Sequence, residues 1–213
     1  MVSEADVKAQ AQAALGEIDS LREVVREITL AALSRRHVDK ESIRSIVRAV
    51  TEGVTSTLDA PMQDVRSSLS QALHGMDDAL GKTAQAAKLA AEEAMGRSTE
   101  FTDQDLKTAL DELASLEDLF LETVKTVAKQ TNSVTRGVLT ELTSHMQKTG
   151  TVVGAQAKAA VADLQTQLRR TGRDTAVAAA QAGRVLGSHM AQIASGILAG
   201  MADALQPKGE PRK

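Results

Sequence analysis

Residues 7–32 read VKAQAQAALGEIDSLREVVREITLAA. Their apolar positions are Val7, Ala11, Ala14, Ile18, Leu21, Val25, Ile28 and Ala32, alternately four and three apart. That alternation keeps one stripe on one side of a helix and is a heptad seam. Glu23, Arg26 and Glu27 fall off the seam. Upstream, Ser3 and Asp6 have the spacing of a capping box, which starts the helix at Ser3. Downstream, Ser34-Arg35-Arg36-His37 places cations where the negative end of a helix dipole attracts them. The stretch therefore predicts a long amphipathic helix with coiled-coil character.

Composition carries this reading to the rest of the chain. Of 213 residues, 35 are Ala; Phe101 and Phe120 are the two aromatics, and Pro occurs only at 61, 207 and 211. Strong helix formers dominate and strand formers are scarce. The predicted fold is all-α: an extended antiparallel bundle of long amphipathic helices. Its organisation is read as N-terminal helices over 1–97, C-terminal long helices over 98–206, and a disordered basic tail over 207–213.

A second helix starts near Asp39, with Ile43, Ile46, Val50, Val54 and Leu58 as its stripe. Asp59-Ala60-Pro61 is a break, because Pro suits a first turn and disrupts an interior. The next stripe runs Met62, Val65, Leu69, Ala72, Met76 and Ala79, then narrows to Ala87, Ala90 and Ala94, with Gly81 expected to loosen its middle. Gly96-Arg97-Ser98 is a stop, and Thr102 with Asp105 resembles another capping box. Leu106, Leu110, Leu113, Leu116, Phe120, Val124, Val127, Val134, Val138 and Leu142 form the strongest stripe, interrupted at Thr131. Gly150 is a C-cap candidate after the cations His145 and Lys148. Beyond it, Val153, Leu164, Thr175, Leu186 and Ile197 recur every eleven residues. Three turns per eleven residues make a straighter helix than a heptad does. A fold-back is expected near Gly150 or Gly172.

The net charge of −3 conceals a division. Residues 148–213 carry nine basic and four acidic side chains, while 100–122 hold eight carboxylates against Lys107 alone. Such a chain can pair its own halves, pair with a second copy, or turn its basic half to an anionic surface. MVSEADVKAQ has neither a basic n-region nor an apolar h-region, so a cytoplasmic location is expected. The run Val185–Ala202 is uncharged apart from His189, yet its Gly, Ser and Gln content makes it too polar for a membrane span.

No constellation for catalysis stands out. Absence of Cys removes thiolate ligands and nucleophiles. His37, His74, His145 and His189 lie outside ligand spacing, so no metal site is expected. Gly81-Lys82-Thr83 ends like a phosphate loop, but Met76 stands where the motif needs Gly and no strand precedes it. The carboxylates Asp111, Glu112, Glu117 and Asp118 lack the E-x-x-H partners of a di-metal bundle and read as a solvated face. Scarce aromatics argue against base stacking, so no nucleic acid is expected. Catalytic, cofactor and metal residues, and a small-molecule substrate, are all read as none.

The most specific local pattern is a pair of GxxxG spacings, Gly183/Gly187 and Gly196/Gly200. Glycines four apart flatten a helix face for close approach. With Met190, Ile193, Ile197 and Met201 they form the candidate surface for self-association or contact with lipid. The Ala-rich seams Ala84 to Ala94, Ala155 to Ala162 and Ala176 to Ala182, with the tail PKGEPRK, make the chain resemble phasins, the helical proteins that coat polyhydroxyalkanoate granules. That resemblance implies a non-enzymatic role on a hydrophobic granule surface. The alternative from the residues is a structural coiled-coil scaffold or adaptor that self-associates, as a homo-oligomer, or binds a helical partner.

Overall fold

The computed structural model describes residues 3–16, 20–34, 39–56, 58, 62–97 and 103–175. Among them every regular element is a helix. In chain order they are α1 (Glu4–Ala13), α2 (Leu21–Ser34), α3 (Lys40–Thr55), α4 (Met62–Arg97), α5 (Asp103–Ala114), α6 (Leu116–Ala128), α7 (Ser133–Thr149) and α8 (Val152–Thr175). The all-α bundle expected from the pattern is the observed class.

Local chemistry explains most ends. Ser3 accepts from the Asp6 N–H and the Asp6 carboxylate accepts from the Ser3 N–H, a complete capping box. Asp39 caps α3 through the Ser42 N–H at 2.7 Å. Asn132 caps α7 through the Thr135 N–H at 2.9 Å. Gly150 ends α7 with φ +87, a conformation that costs glycine least.

The seam over 7–32 points inward as expected, with Val7, Ala11, Ala14, Leu21, Val25 and Ala32 buried. It does not build one continuous helix. A 3-10 turn over Ala14–Gly16 separates α1 from α2. Gly16 favours a turn over a helix interior, and that local preference ends α1 despite the seam. A second unforeseen break is Ser115, whose hydroxyl bonds to the Glu112 carbonyl at 3.0 Å between α5 and α6.

Gly81 does not loosen α4, which continues as one helix of 36 residues. The proposed fold-backs after 149 also differ from the structure. Arg66 pairs with Glu141, Asp77 with the Val152 N–H, and Lys88 with Asp163. Each pair is 75 residues apart, and successive pairs advance by eleven on both strands of the pairing. So α7 and α8 run in the same direction alongside α4, and Gly150 interrupts the helix without reversing the chain. Gly172 does not break it either, since α8 reaches Thr175. The reversal lies at 129–132, where Thr131 interrupts the stripe; Lys125 bonds Gln147, and Glu117 bonds Thr151, placing α6 antiparallel to the α7–α8 line. At the other end α1 and α3 are parallel, joined by Glu4–Ser45 and by Lys8–Glu52 at 3.0 Å.

One apolar core joins helices from both sides of the 97/98 boundary. Its largest buried side chains include Phe120, Leu21, Leu33, Ile46, Leu69, Leu73, Met76, Leu80 and Leu139. Buried threonines satisfy their hydroxyls locally: Thr29, Thr51, Thr83, Thr123 and Thr143 each donate to the carbonyl four residues earlier, and Thr51 also lies 3.9 Å from the Met76 sulfur.

α2 crosses α4 at Gly75, where a Cβ would run into the Arg22 carbonyl and come within 3.1 Å of the Arg26 nitrogen. Both obstacles are backbone. Gly75→Ala should therefore destabilise the fold by about 1 kcal/mol net, overpacking outweighing the gain in helix propensity. Gly137 on α7 has open space at the same atom. Gly137→Ala should stabilise by about 0.5–1 kcal/mol, because alanine loses less entropy on entering a helix. Denaturant midpoints of the two variants check the opposite signs.

Candidate functional site: the α7–α8 junction

The eight residues read as the self-association surface, Gly183, Gly187, Met190, Ile193, Gly196, Ile197, Gly200 and Met201, lie outside the described residues, as do the tail, His37, His189 and Thr102. Gly81-Lys82-Thr83 sits inside α4, with Thr83 bonded to the Ala79 carbonyl at 2.9 Å. His74 and His145 are exposed on α4 and α7. Among the described residues no group of three or more metal-ligating side chains converges. Asp111, Glu112 and Asp118 are exposed, as a solvated face requires, whereas Glu117 is partly buried.

Glu117 belongs to the most concentrated polar cluster in the bundle. Where Gly150 ends α7, the next helix begins with amides that α7 cannot satisfy. Asp77 comes from α4 and accepts the Val152 N–H at 2.9 Å and the Val153 N–H at 2.8 Å, one on each carboxylate oxygen. Thr151 accepts the Gly154 N–H at 2.9 Å and donates its hydroxyl to Glu117 at 2.6 Å. Glu117 reaches over Gly154, which has no side chain to obstruct it, and lies 3.8 Å from Lys158. Two carboxylates thus meet the positive end of the α8 dipole.

Asp77 is 3% exposed. Burial pushes its carboxyl above the usual range, against the opposing pull of the Val153 and Val152 amides. Nearby Asp78 raises it further and His74 lowers it. Asp78 itself is neutralised by Arg22 of α2 at 2.7 Å. Both Asp77 oxygens already accept amides, so its role in this arrangement is to fix α8. Nothing in the sequence marked Asp77: it lies between stripe positions Met76 and Ala79, and its partners are 75 residues away. Thr151, a capping residue type directly after Gly150, is the one local hint.

The polar flank of α4 continues this register. Arg66 donates to both oxygens of Glu141, at 2.6 and 2.9 Å, and holds that carboxyl below its usual range. Gln85 bonds Gln156 at 2.8 Å, and Gln167 bonds Glu92 at 3.0 Å. Among the described residues the exposed large apolar side chains are dispersed: Leu89 on α4, Val134 on α7 and Val152 on α8. Among the described residues no helix is long and apolar enough to cross a membrane.

These features define an all-α bundle protein whose main polar cluster serves to join its helices. The chain belongs to a family of unknown function (DUF6781), which it matches over residues 1–207. No curated protein and no solved structure matches it.

Proposed function

We propose that this is a non-enzymatic protein that attaches to a hydrophobic surface, a storage granule or a lipid interface, in the cytoplasm. Residues 183–201 provide the attachment, and the helical body provides the hydrophilic exterior. The supporting observation is how little apolar surface the described residues offer: among them Leu89, Val134 and Val152 are the exposed large apolar ones, and they are scattered over three helices. Scattered apolar residues of this kind are ordinary on soluble proteins and do not form a contact patch. By contrast, residues 185–202 form an uncharged apolar run apart from His189. Small side chains there suit moderate, reversible attachment, and the basic balance of 148–213 favours an anionic boundary. The resemblance to phasins implies the same role.

Flotation of the full chain with polyhydroxybutyrate particles, and with neutral and anionic vesicles, tests this at low and high salt. Salt-resistant flotation with the polymer is expected, and Ile197→Asp with Met201→Asp should abolish it while the circular dichroism of the body stays unchanged. Binding retained by that folded variant would overturn the assignment of the contact surface. Recovery only with anionic vesicles, lost in salt, would move the function to a charged membrane surface.

The same consumption of apolar faces supports a second reading, a self-associating scaffold or adaptor. Protein that stays at the bottom of every gradient and elutes as a defined oligomer would favour it.

A further inference from the structure

We propose that α8 is a clipped arm, opening from α4, α5 and α6 as a unit about Gly150–Thr151 while α7 stays docked. The inference rests on the junction and the packing, and does not depend on the surface reading above.

The hinge comes first. Gly150 has φ +87 and nothing near its absent Cβ. The last α7 bond is Gly150 N–H to the Met146 carbonyl at 2.8 Å, and the α8 ladder restarts with Ala155 N–H to the Thr151 carbonyl at 3.1 Å. In between, the amides of Val152, Val153 and Gly154 go to side chains, so they add nothing to the α7 ladder. Rotation at the junction therefore leaves both helices intact.

Packing then separates the two helices. The α7 core face is Val138, Leu139, Leu142 and Met146, and the first half of α4 buries Val65, Leu69, Leu73 and Met76. After Leu80 the buried side chains described on α4 are small, Thr83, Ala84, Ala86, Ala91 and Ala94, with Met95 partly buried, and α8 offers Val153, Ala157, Ala160 and Leu164, with Val161 partly buried. Alanine contacts remove little apolar area from water, so along α4 the outer part of α8 buries less apolar area per turn than α7 does, its other contacts being with α5 and α6. Its flanking pair Lys88–Asp163 is partly exposed, and a partly exposed pair adds little. Beside the flanking Gln85–Gln156 and Gln167–Glu92 bonds, the start of α8 is fixed by the clip: Asp77 on two amides, and Glu117 on Thr151. At 24 residues and rich in Ala, α8 is long enough to persist as a helix when released. Opening would present Val153, Ala157, Ala160 and Leu164 as an apolar face that the closed body hides.

Amide hydrogen exchange on the full chain tests this. The amides of Ala157–Leu164 should exchange together, about ten-fold or more faster than Leu139–Met146, as a separate cooperative unit does. Asp77→Asn should speed the α8 group several-fold further and leave α7 unchanged. A second variant covers the case in which Asp77→Asn fails to fold. The chain has no cysteine, and a Cβ at Gly81 would lie 2.9 Å from Val152 Cγ1. That matches the separation of about 3 Å between a Cβ and the far sulfur of a disulfide, so Gly81→Cys with Val152→Cys can lock the arm. Oxidation should slow α8 exchange to the α7 rate, and reduction should restore it. Equal α7 and α8 rates in the unmodified protein, or α8 exchange indifferent to the lock, would overturn the proposal.

Discussion

Phe120→Ala is expected to lower the unfolding free energy by about 3–5 kcal/mol, the range for deleting a buried aromatic ring. Phe120 is fully buried on α6 and is the largest side chain in the core. α6 packs against α3, α7 and α8, so the ring lies where the N-terminal and C-terminal helices share one core. Removing it leaves a hole lined by helices that are themselves fixed at Asp39, Asn132 and Asp77, and such a hole collapses only in part. For a chain of this size the thermal midpoint should fall by roughly 2–4 °C per kcal/mol. A loss below about 1 kcal/mol would mean that the core relaxes freely around position 120.

Asp77→Ala should cost about 2 kcal/mol. One buried and one partly buried helix N-terminal amide lose their acceptors, and relief from burying a carboxylate offsets part of that loss. Asp77→Asn keeps one acceptor oxygen and should cost about half as much. Asp78→Ala is the control: it removes only a pair with a half-exposed Arg22 and should cost less than about 1 kcal/mol. The pH dependence has a definite sign. Burial raises the Asp77 carboxyl in the folded protein, so the native state holds that proton more tightly than the unfolded chain does. Its contribution is fully present below the ordinary aspartate range and is lost as pH rises through the raised value. The stability of the wild type relative to Asp77→Asn should accordingly be greatest at the acid end and decline toward neutral pH. Denaturant titrations of both proteins across that window measure it, and a gap that widens with pH would refute the direction.

Much of the fold was legible because it depends on neighbours a few residues apart. Ser3 with Asp6, Asp39, and Gly150 after Lys148 identify helix ends through groups within one turn. The seam at Val7, Ala11, Leu21 and Val25 identifies the buried face through a period of three and four. The break at Ala14–Gly16 is not legible in the pattern because a strong apolar period and a turn-favouring Gly16 coincide there, and periodicity does not say which dominates. Asp77 was missed because its meaning depends on Val152 and Val153, which share no local pattern with it.

The residues themselves determined the class of this protein: helix in every regular element described, no cysteine for thiol chemistry, and a chain that divides into an acidic stretch and a basic end. They also supplied the eleven-residue spacing of Val153 and Leu164, which follows from three turns of helix alone. Tertiary structure decided what that spacing is for. The partners of the α7–α8 line lie 75 residues back on α4, and only a folded chain brings Arg66 to Glu141, Asp77 to Val152 and Lys88 to Asp163. Local energies can end a helix at Gly150, but whether the chain then turns back or continues depends on a carboxylate from another helix meeting its first amides.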